Sequence, residues 1–212
     1  MCGILGINSC NLSITKKDFL ESRDLMNHRG PDSSGYYESE NKKVMLGHNR
    51  LSIIDLSNSA HQPMISFDNR YVITYNGELY NYISLKKVLI EKGYRFNSKS
   101  DTEVILNSFH LWKEKSLDKL NGMFSFCIYD KLKDSFFIAI DRLGIKLFFY
   151  YFDDNNFIFS SELKSILSFS NIDKKINNSS ILDYLSFGYT PAPNTVYKKI
   201  KKLKPGHFIY YE

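Results

Sequence analysis

The sequence predicts an α+β fold in which antiparallel sheets are layered with helices. Short apolar runs bounded by turn residues outnumber the helical segments, and aromatic residues, which suit strands, are frequent, with 16 Phe and 15 Tyr among 212 residues. Turns rich in Asp, Asn and Lys join the later runs, which favours hairpins over a parallel sheet. Several runs are apolar throughout rather than alternating, which indicates a sheet that is buried on both faces.

Six apolar runs are predicted as strands, and in chain order they are residues 44–47, 71–75, 124–129, 135–140, 147–152 and 157–160. Four segments are predicted as helices, and they are residues 16–27, 83–92, 102–113 and 179–186. Thr15 and the pair Ser100-Asp101 are candidate N-caps of the first and third helices. Gly93 and Gly188 are placed to end the second and the fourth.

The composition argues against several classes of protein. No stretch approaches ~18 apolar residues, so we expect no membrane span, and the first residues lack the basic and apolar regions of a secretory signal. Cys2, Cys10 and Cys127 show no CxxC spacing and no nearby histidine cluster, which favours neither a disulfide framework nor a zinc site. We therefore expect a reducing, cytoplasmic location.

The net charge of +5 is concentrated late in the chain, with lysines at 174–175 and between 198 and 204. Such a run is usually a solvated face and less often a stripe that binds phosphates. No nucleic-acid motif accompanies these lysines, so we expect no nucleic-acid partner.

Cys2 carries two reactive groups once Met1 is removed, namely its thiol and the free α-amine of the chain. An α-amine titrates near ~7.7–8.0 and a free thiol near ~8.5, so a nucleophile and a general base lie within one residue. Amine-terminated nucleophiles of this kind activate acyl transfer. On position alone, however, the favoured interpretation is a small, buried hydrophobic residue.

Two polar clusters next to apolar runs each allow two interpretations. Arg50, among the small and apolar residues 47–53, is either a clamp for a carboxylate or a surface arginine. Asn76-Gly77 follows the run 71–74, and by pattern alone it favours a tight hairpin turn. The alternative is an oxyanion hole made by the Asn76 amide and the Gly77 backbone N–H, which typically contributes ~3–4 kcal/mol per donor.

Two further polar segments have a structural explanation as their default. Asp101 is favoured as part of a helix cap, although its carboxylate could instead hold the α-ammonium of an amino-acid ligand. Residues 29–32, Arg-Gly-Pro-Asp, are predicted as a helix-ending turn with no assignable chemistry.

Ten short motifs follow one another along essentially the whole chain. They are Met-Cys-Gly-Ile-Leu-Gly-Ile at 1–7, Arg-Gly-Pro-Asp at 29–32, Gly-His-Asn-Arg-Leu-Ser-Ile-Ile-Asp at 47–55, His-Gln-Pro-Met at 61–64, Tyr-Asn-Gly-Glu-Leu-Tyr-Asn-Tyr at 75–82, Ser-Asp-Thr-Glu-Val-Ile at 100–105, Leu-Asn-Gly-Met-Phe-Ser-Phe at 120–126, Asp-Arg-Leu-Gly-Ile-Lys at 141–146, Ser-Ser-Glu-Leu-Lys-Ser at 160–165 and Pro-Gly-His at 205–207. Together they resemble the glutamine-hydrolysing domain of asparagine synthetases, a class II glutamine amidotransferase with an N-terminal nucleophile. One such motif is weak evidence, whereas ten in order are highly specific.

The resemblance implies a four-layer αββα sandwich of two antiparallel sheets, of the N-terminal nucleophile hydrolase type. It implies that Cys2 is the nucleophile, with its own α-amine as the base, and that Asn76 and Gly77 form the oxyanion hole. The implied reaction is the hydrolysis of L-glutamine to glutamate and ammonia through a thioester on Cys2.

The resemblance also implies which residues bind L-glutamine. Arg50 would bind the α-carboxylate, with Leu51 and Ile53 shaping the pocket through backbone contacts. Glu78 and Asp101 would hold the α-amino group. We expect no metal and no cofactor for this glutaminase reaction.

Residues 1–190 are expected to form the glutaminase domain, and residues 191–212 a boundary segment that leads to a synthetase domain. In asparagine synthetases that second domain activates aspartate with ATP, and its Ser-Gly-Gly-x-Asp-Ser loop does not occur in this sequence. We therefore expect ATP and Mg only in the synthetase part, which would be the partner that accepts ammonia. One departure from the family is Leu147, which stands where a proline usually follows Gly-Ile-Lys.

Two other functions stay open at the level of the sequence. The chain could serve an amidotransferase with a different acceptor, such as a sugar or a cell-surface precursor. It could also be a non-catalytic interaction domain, which the lysine-rich tail and the missing synthetase half motivate. A retained Met1 would favour this alternative, because it would leave Cys2 without its base.

Overall fold

The computed structural model describes residues 1–9 and 14–212, which form two antiparallel sheets packed face to face. The strands in chain order are β1 (Gly3–Ser9), β2 (Ser33–Glu38), β3 (Val44–Arg50), β4 (Met64–Ile65), β5 (Tyr71–Leu79), β6 (Gly122–Asp130), β7 (Ser135–Ile140), β8 (Phe149–Phe152), β9 (Asn156–Ser160), β10 (Ile200–Lys202) and β11 (Phe208–Tyr211). One sheet has six strands in the order β10-β8-β9-β1-β3-β2, and the other has five in the order β11-β7-β6-β5-β4.

The helices are α1 (Lys16–Asp24), α2 (Tyr82–Glu91), α3 (Asp101–Trp112), α4 (Leu163–Leu167) and α5 (Asn178–Phe187). α1 begins with the predicted cap, because the Thr15 hydroxyl accepts from the Asp18 backbone N–H while the Asp18 carboxylate accepts from the Thr15 N–H. Ser100 caps α3 by accepting from the Thr102 N–H at 3.0 Å. Gly188, in the left-handed conformation with φ of 76°, ends α5 as expected.

Three apolar clusters define four layers. The first lies between the sheets and joins Ile4 of β1 and Leu46 of β3 to Val72 of β5 and Phe136 of β7. A second cluster packs the outer face of the five-stranded sheet on α2 and α3, and a third packs the six-stranded sheet on α1 and α4. The order is therefore helix, sheet, sheet, helix, which confirms the predicted α+β fold and the αββα sandwich.

The predicted strands are present, although the run at 147–152 forms a strand only from Phe149 onward. The strands β1, β2, β4, β10 and β11 and the helix α4 were not predicted. The preference for a hairpin turn at Asn76-Gly77 was wrong, because both residues lie inside β5. β5 pairs with β6 from Tyr71 to Leu79 without interruption, so the ladder overrides the local turn propensity of Asn-Gly.

Residues 191–212, expected as a boundary segment, contribute β10 to one sheet and β11 to the other. A domain boundary at residue 190 stays a prediction. Across residues 1–9 and 14–212, none of the helices combines the length and the apolar character that a membrane crossing requires. Cys2 and Cys127 are free thiols, and Cys10 lies outside the described residues.

Candidate active site

Cys2 lies immediately before β1 and is half-buried beside the end of β3. Its Sγ accepts from the Leu51 backbone N–H at 3.5 Å and lies 3.7 Å from the Leu51 carbonyl oxygen. The Arg29 Nε donates to the Cys2 carbonyl at 2.9 Å, and Arg29 Nη1 is paired with Glu162 at 3.0 Å. The backbone and the thiol of Cys2 are therefore both held in place.

A cavity of about 120 Å³ opens next to Cys2, between the ends of β3 and β5 and the start of α3. All eight residues predicted for the site line it, and they are Cys2, Arg50, Leu51, Ile53, Asn76, Gly77, Glu78 and Asp101. Further lining residues include Gln62, Tyr75, Thr102, Met123 and Lys146. The fold thus brings together side chains from both sheets and from α3 around one thiol.

Arg50 is the last residue of β3 and is almost fully buried, so the interpretation as a surface arginine was wrong. Its Nη1 donates to the Ser57 carbonyl at 3.0 Å, and its Nη2 donates to the Asp55 carbonyl. The Asp55 carboxylate accepts from the backbone N–H groups of Ser57 and Lys99, and hydrogen bonds from these residues lower its pKa to about 2. Asp55 thereby ties the loop that orients the guanidinium to the segment before α3.

Asn76 is 1% exposed, and its Nδ2 has no hydrogen-bond partner among the described residues. A buried, unpaired amide donor usually costs about 1–3 kcal/mol, so its place on the cavity lining suggests a ligand atom as its partner. The next residue must be glycine, because a Cβ on Gly77 would lie 2.4 Å from the Met123 carbonyl oxygen. This close approach lets the backbone of β5 form part of the cavity lining.

Asp101 is the first residue of α3, and its Oδ2 accepts from the Tyr75 hydroxyl at 2.8 Å and from the Leu79 N–H at 3.0 Å. Burial raises the pKa of this carboxyl group, and the bonds from Leu79 and Tyr75 act in the opposite direction. The helix cap itself is Ser100, which leaves the Asp101 carboxylate available to the cavity. Glu78 is exposed at the rim of the cavity.

Burial also raises the pKa of the Cys2 thiol, while the hydrogen bond from Leu51 and the charge of the chain's amine lower it. The amine in the structure is that of Met1, and its pKa is lowered, mainly by burial and further by the positive charges of Arg29 and Lys146. Burial therefore biases both the Cys2 thiol and the Met1 amine towards their neutral forms.

The segment 29–32 has a role that sequence reasoning missed. Besides the contact from Arg29 to Cys2, the Asp32 carboxylate accepts from the Ser52 N–H at 2.7 Å, and the Asp32 N–H donates to the Arg50 carbonyl at 3.1 Å. Gly30 approaches β3 so closely that a Cβ would lie 2.2 Å from the Asn49 carbonyl oxygen. The predicted turn is thus also a support that fixes Cys2 and the end of β3.

Gln62 is a second residue that sequence reasoning missed. It is buried in the cavity lining, where its Nε2 donates to the Thr102 hydroxyl at 3.1 Å and its Oε1 accepts from the Tyr75 N–H at 2.7 Å. The only signal for it was the His-Gln-Pro-Met motif, to which no chemistry could be assigned. Over residues 1–9 and 14–212, no group of three or more His, Cys, Asp or Glu residues is placed to hold a metal ion.

Comparisons with known proteins identify the family of this chain. The family model for the glutamine amidotransferase domain matches residues 1–212. Asparagine synthetase [glutamine-hydrolyzing] 1 of Bacillus subtilis is 40% identical over 210 residues, which cover 97% of this chain and 33% of that protein. Asparagine synthetase B [glutamine-hydrolyzing] of Escherichia coli is 38% identical over 170 residues, which cover 79% of this chain and 30% of that protein. The chain thus spans about a third of the length of these relatives.

Solved structures show the same fold. The glutamine phosphoribosylpyrophosphate amidotransferase from B. subtilis, complexed with ADP and GMP, matches with a TM-score of 0.65 at 22% identity, over 79% of this chain and 43% of that chain. The relatives confirm the resemblance to the glutamine-hydrolysing domain of asparagine synthetases. The solved amidotransferase structure confirms the fold. By the match of the family model over its whole length, the chain belongs to the glutamine amidotransferase domain family.

Proposed function

We propose that this chain hydrolyses L-glutamine to glutamate and ammonia, as the ammonia-supplying part of a glutamine-dependent asparagine synthetase. The observation that carries the proposal is the position of the Cys2 thiol, held at a cavity whose lining includes the unpaired amide of Asn76. The relatives named above support asparagine synthesis over a different ammonia acceptor.

Removal of Met1 is the first requirement of the mechanism, because it converts the peptide nitrogen of Cys2 into an α-amine. This amine takes the thiol proton while Cys2 Sγ attacks the side-chain amide carbon of glutamine. The tetrahedral intermediate then carries a negative oxygen, to which Asn76 Nδ2 and the Gly77 backbone donate. Collapse of the intermediate breaks the C–N bond, the α-ammonium gives its proton to the leaving nitrogen, and ammonia departs.

Hydrolysis of the thioester completes the cycle. The α-amine, again in its neutral form, takes a proton from a water molecule that attacks the γ-glutamyl carbon. The C–S bond breaks, the thiol recovers its proton and glutamate is released. Each proton that the amine accepts is returned within the same cycle, so this reaction needs no metal and no cofactor.

Recognition of the substrate uses the charges at the far side of the cavity. The guanidinium of Arg50, oriented by the carbonyls of Asp55 and Ser57, is suited to bind the α-carboxylate in a bidentate manner. Asp101 and Glu78 are placed to bind the α-ammonium. Leu51 and Ile53 complete the pocket through their backbone.

The ammonia acceptor in this proposal is an activated aspartate, formed in a synthetase domain or subunit that uses ATP and Mg. We also propose a cytoplasmic location, because the reaction needs Cys2 as a free thiol. Neither a nucleic acid nor a membrane takes part.

The test is glutamate release by protein whose loss of Met1 has been verified by intact mass. We expect Cys2→Ala to abolish the release, because the nucleophile is lost, and a matched protein with extra N-terminal residues to be inactive because it lacks the amine. Undiminished release by Cys2→Ala would refute the mechanism. An inert, correctly processed protein would instead support a non-catalytic interaction domain.

A further inference from the structure

Lys146 is an unusual side chain in the lining of the cavity. It is only 5% exposed, yet within the described ranges no carboxylate lies within 4.0 Å of its ammonium group. Buried lysines are rare because removing the ammonium from water is costly, and they are normally paired. The proposed glutaminase mechanism gives this residue no role.

The loop that carries Lys146 is fixed by a single carboxylate. Asp141, which is 1% exposed, accepts hydrogen bonds from the backbone N–H groups of Leu143, Ile145 and Lys146, and from that of Phe124 on β6, at 3.0 to 3.1 Å. These four bonds hold the loop in place even though Leu147 replaces the usual proline. The lysine is therefore attached to a rigid support and directed towards the cavity.

Charged groups surround Lys146 from several elements. Burial and the positive charge of Arg29 lower the pKa of Lys146, whereas Cys2, Asp141 and Glu78 act in the opposite direction. Other ionisable groups that interact with Cys2 or with the chain's amine include Arg29, Asp32, Arg50, Tyr75 and Asp101. Lys146 lines the same cavity as Met1 and Cys2, and its charge interacts with the amine of Met1 and with Cys2.

We propose that Lys146 supplies a fixed positive charge at the reaction centre, where it favours the neutral form of the α-amine and the thiolate form of Cys2. This inference rests on the proposed glutaminase reaction. A nearby cation disfavours a second positive charge on the amine and stabilises a negative charge on sulfur. Both effects increase the fraction of molecules in which the base can accept a proton and the nucleophile can attack.

The positive charge of Lys146 offsets the effect of burial on the Cys2 thiol. Burial makes the Cys2 thiolate harder to form, and the negative charge of Asp101, which the substrate ammonium needs, makes it harder still. Arg50 lowers the pKa of the thiol but is bonded to the loop at 55–57 and is assigned to the substrate carboxylate. Lys146 has no such second partner among residues 1–9 and 14–212, so its charge is available to the thiol in the free enzyme.

The test compares Lys146→Met and Lys146→Gln, which remove the charge, with Lys146→Arg, which keeps it. The rate of alkylation of Cys2 by iodoacetamide is followed against pH by peptide mass, in folded protein without Met1. We expect the pH midpoint of alkylation to rise by about one pH unit in the two neutral variants. The acidic limb of the pH profile of kcat/KM should move in the same direction, and Lys146→Arg should restore both.

Lys202→Met is the control, because Lys202 is half-buried and its pKa, like that of Lys146, is lowered by burial, but it does not line the cavity. Unchanged alkylation midpoints in folded Lys146→Met and Lys146→Gln would overturn the inference, as would an equal shift in the control. Alkylation needs no turnover of glutamine. A shifted midpoint in a protein that releases no glutamate would thus contradict the proposed function while supporting the charge effect of Lys146.

Discussion

The interior between the two sheets is packed with aromatic rings at one end and lined with polar groups at the other. At one end, the ring of Phe136 lies 5.6 to 6.2 Å from the rings of Tyr129, Phe157, Phe159 and Tyr211, measured between centroids. This end is closed by aromatic packing. Such contacts stabilise the fold without offering any chemistry.

At the other end, next to Cys2, the same two sheets are joined by polar contacts. His48 Nε2 is bonded to the Tyr75 carbonyl at 3.0 Å, and the Thr74 hydroxyl donates to the Gly47 carbonyl at 3.2 Å. Buried atoms without partners among the described residues gather on the strands here, including His48 Nδ1 and Asn76 Nδ2. The aromatic end supplies stability, which allows the Cys2 end to keep unpaired polar groups available for a ligand.

The largest expected effect on stability is at the aromatic end. Phe136 is fully buried, so we expect Phe136→Ala to lower the free energy of unfolding by about 3–5 kcal/mol through lost burial and a cavity. Urea unfolding measures this change. Phe187→Ala, at a position that is 63% exposed, is the control and should cost far less. Equal losses in the free energy of unfolding of the two variants would show that Phe136 contributes no more to stability than an exposed ring.

At the Cys2 end, we expect Asn76→Ala to have a large effect on activity and a small effect on stability. Glutamate release should fall by about 10²–10³-fold in kcat because an oxyanion donor is lost. The free energy of unfolding should change much less than in Phe136→Ala, because the deleted amide nitrogen has no hydrogen-bond partner in the described part of the chain.

The control for Asn76→Ala is Asn107→Ala. Asn107 is also a buried asparagine whose Nδ2 has no partner among the described residues, but it does not line the cavity. We expect its kcat to match that of the unaltered protein. A comparable fall in both variants would assign the effect of Asn76 to folding and not to catalysis.

A smaller effect is expected on the pH dependence of the free energy of unfolding. Burial lowers the pKa of His48 to about 3, so between this value and the ordinary 6.5 the unfolded chain binds a proton that the folded chain does not. This contribution to stability is present above pH 6.5 and is lost as the pH falls, by up to about 1.4 kcal/mol per pH unit. Denaturant unfolding across this range should show a shallower dependence in His48→Gln.

The exposed His207 provides the control for that measurement, since His207→Gln should leave the dependence unchanged. Asp55 also makes the folded protein less stable as the pH falls, but at lower pH. Its pKa of about 2 lies below the ordinary 3.8 of the carboxyl group, so its contribution is lost between these two values. A slope between pH 4 and pH 6.5 that persists in His48→Gln would show that His48 is not the source of this acid sensitivity.

The sequence was sufficient for features that depend on local chemistry. The Thr15 cap, the glycine ends of helices and the hairpins β6–β7 and β8–β9 follow from residues close together in the chain. β1 escaped prediction because its burial arises from distant partners. A Cβ at Gly6, for example, would lie 2.2 Å from the ring of Phe159.

In the candidate site, too, the contacts between residues distant in the chain could not be predicted. The residue types suited to acyl transfer were visible in the sequence, and the family motifs chose between their alternative roles. The contact of Arg29 with Cys2, between residues 27 positions apart, could not be predicted because nothing in the segment 29–32 indicates which carbonyl it meets. The burial of Lys146 likewise depends on how Asp141 folds its loop.

The contact between Arg29 and the Cys2 carbonyl has a further consequence for the beginning of the chain. Chain ends usually fray, and a nucleophile placed there would spend much of its time away from its substrate. Here the first peptide group after Cys2 is tethered through Arg29 to Glu162, the residue immediately before α4. The conformational entropy of this end is therefore lost once, during folding, and is not lost again at each binding of a substrate.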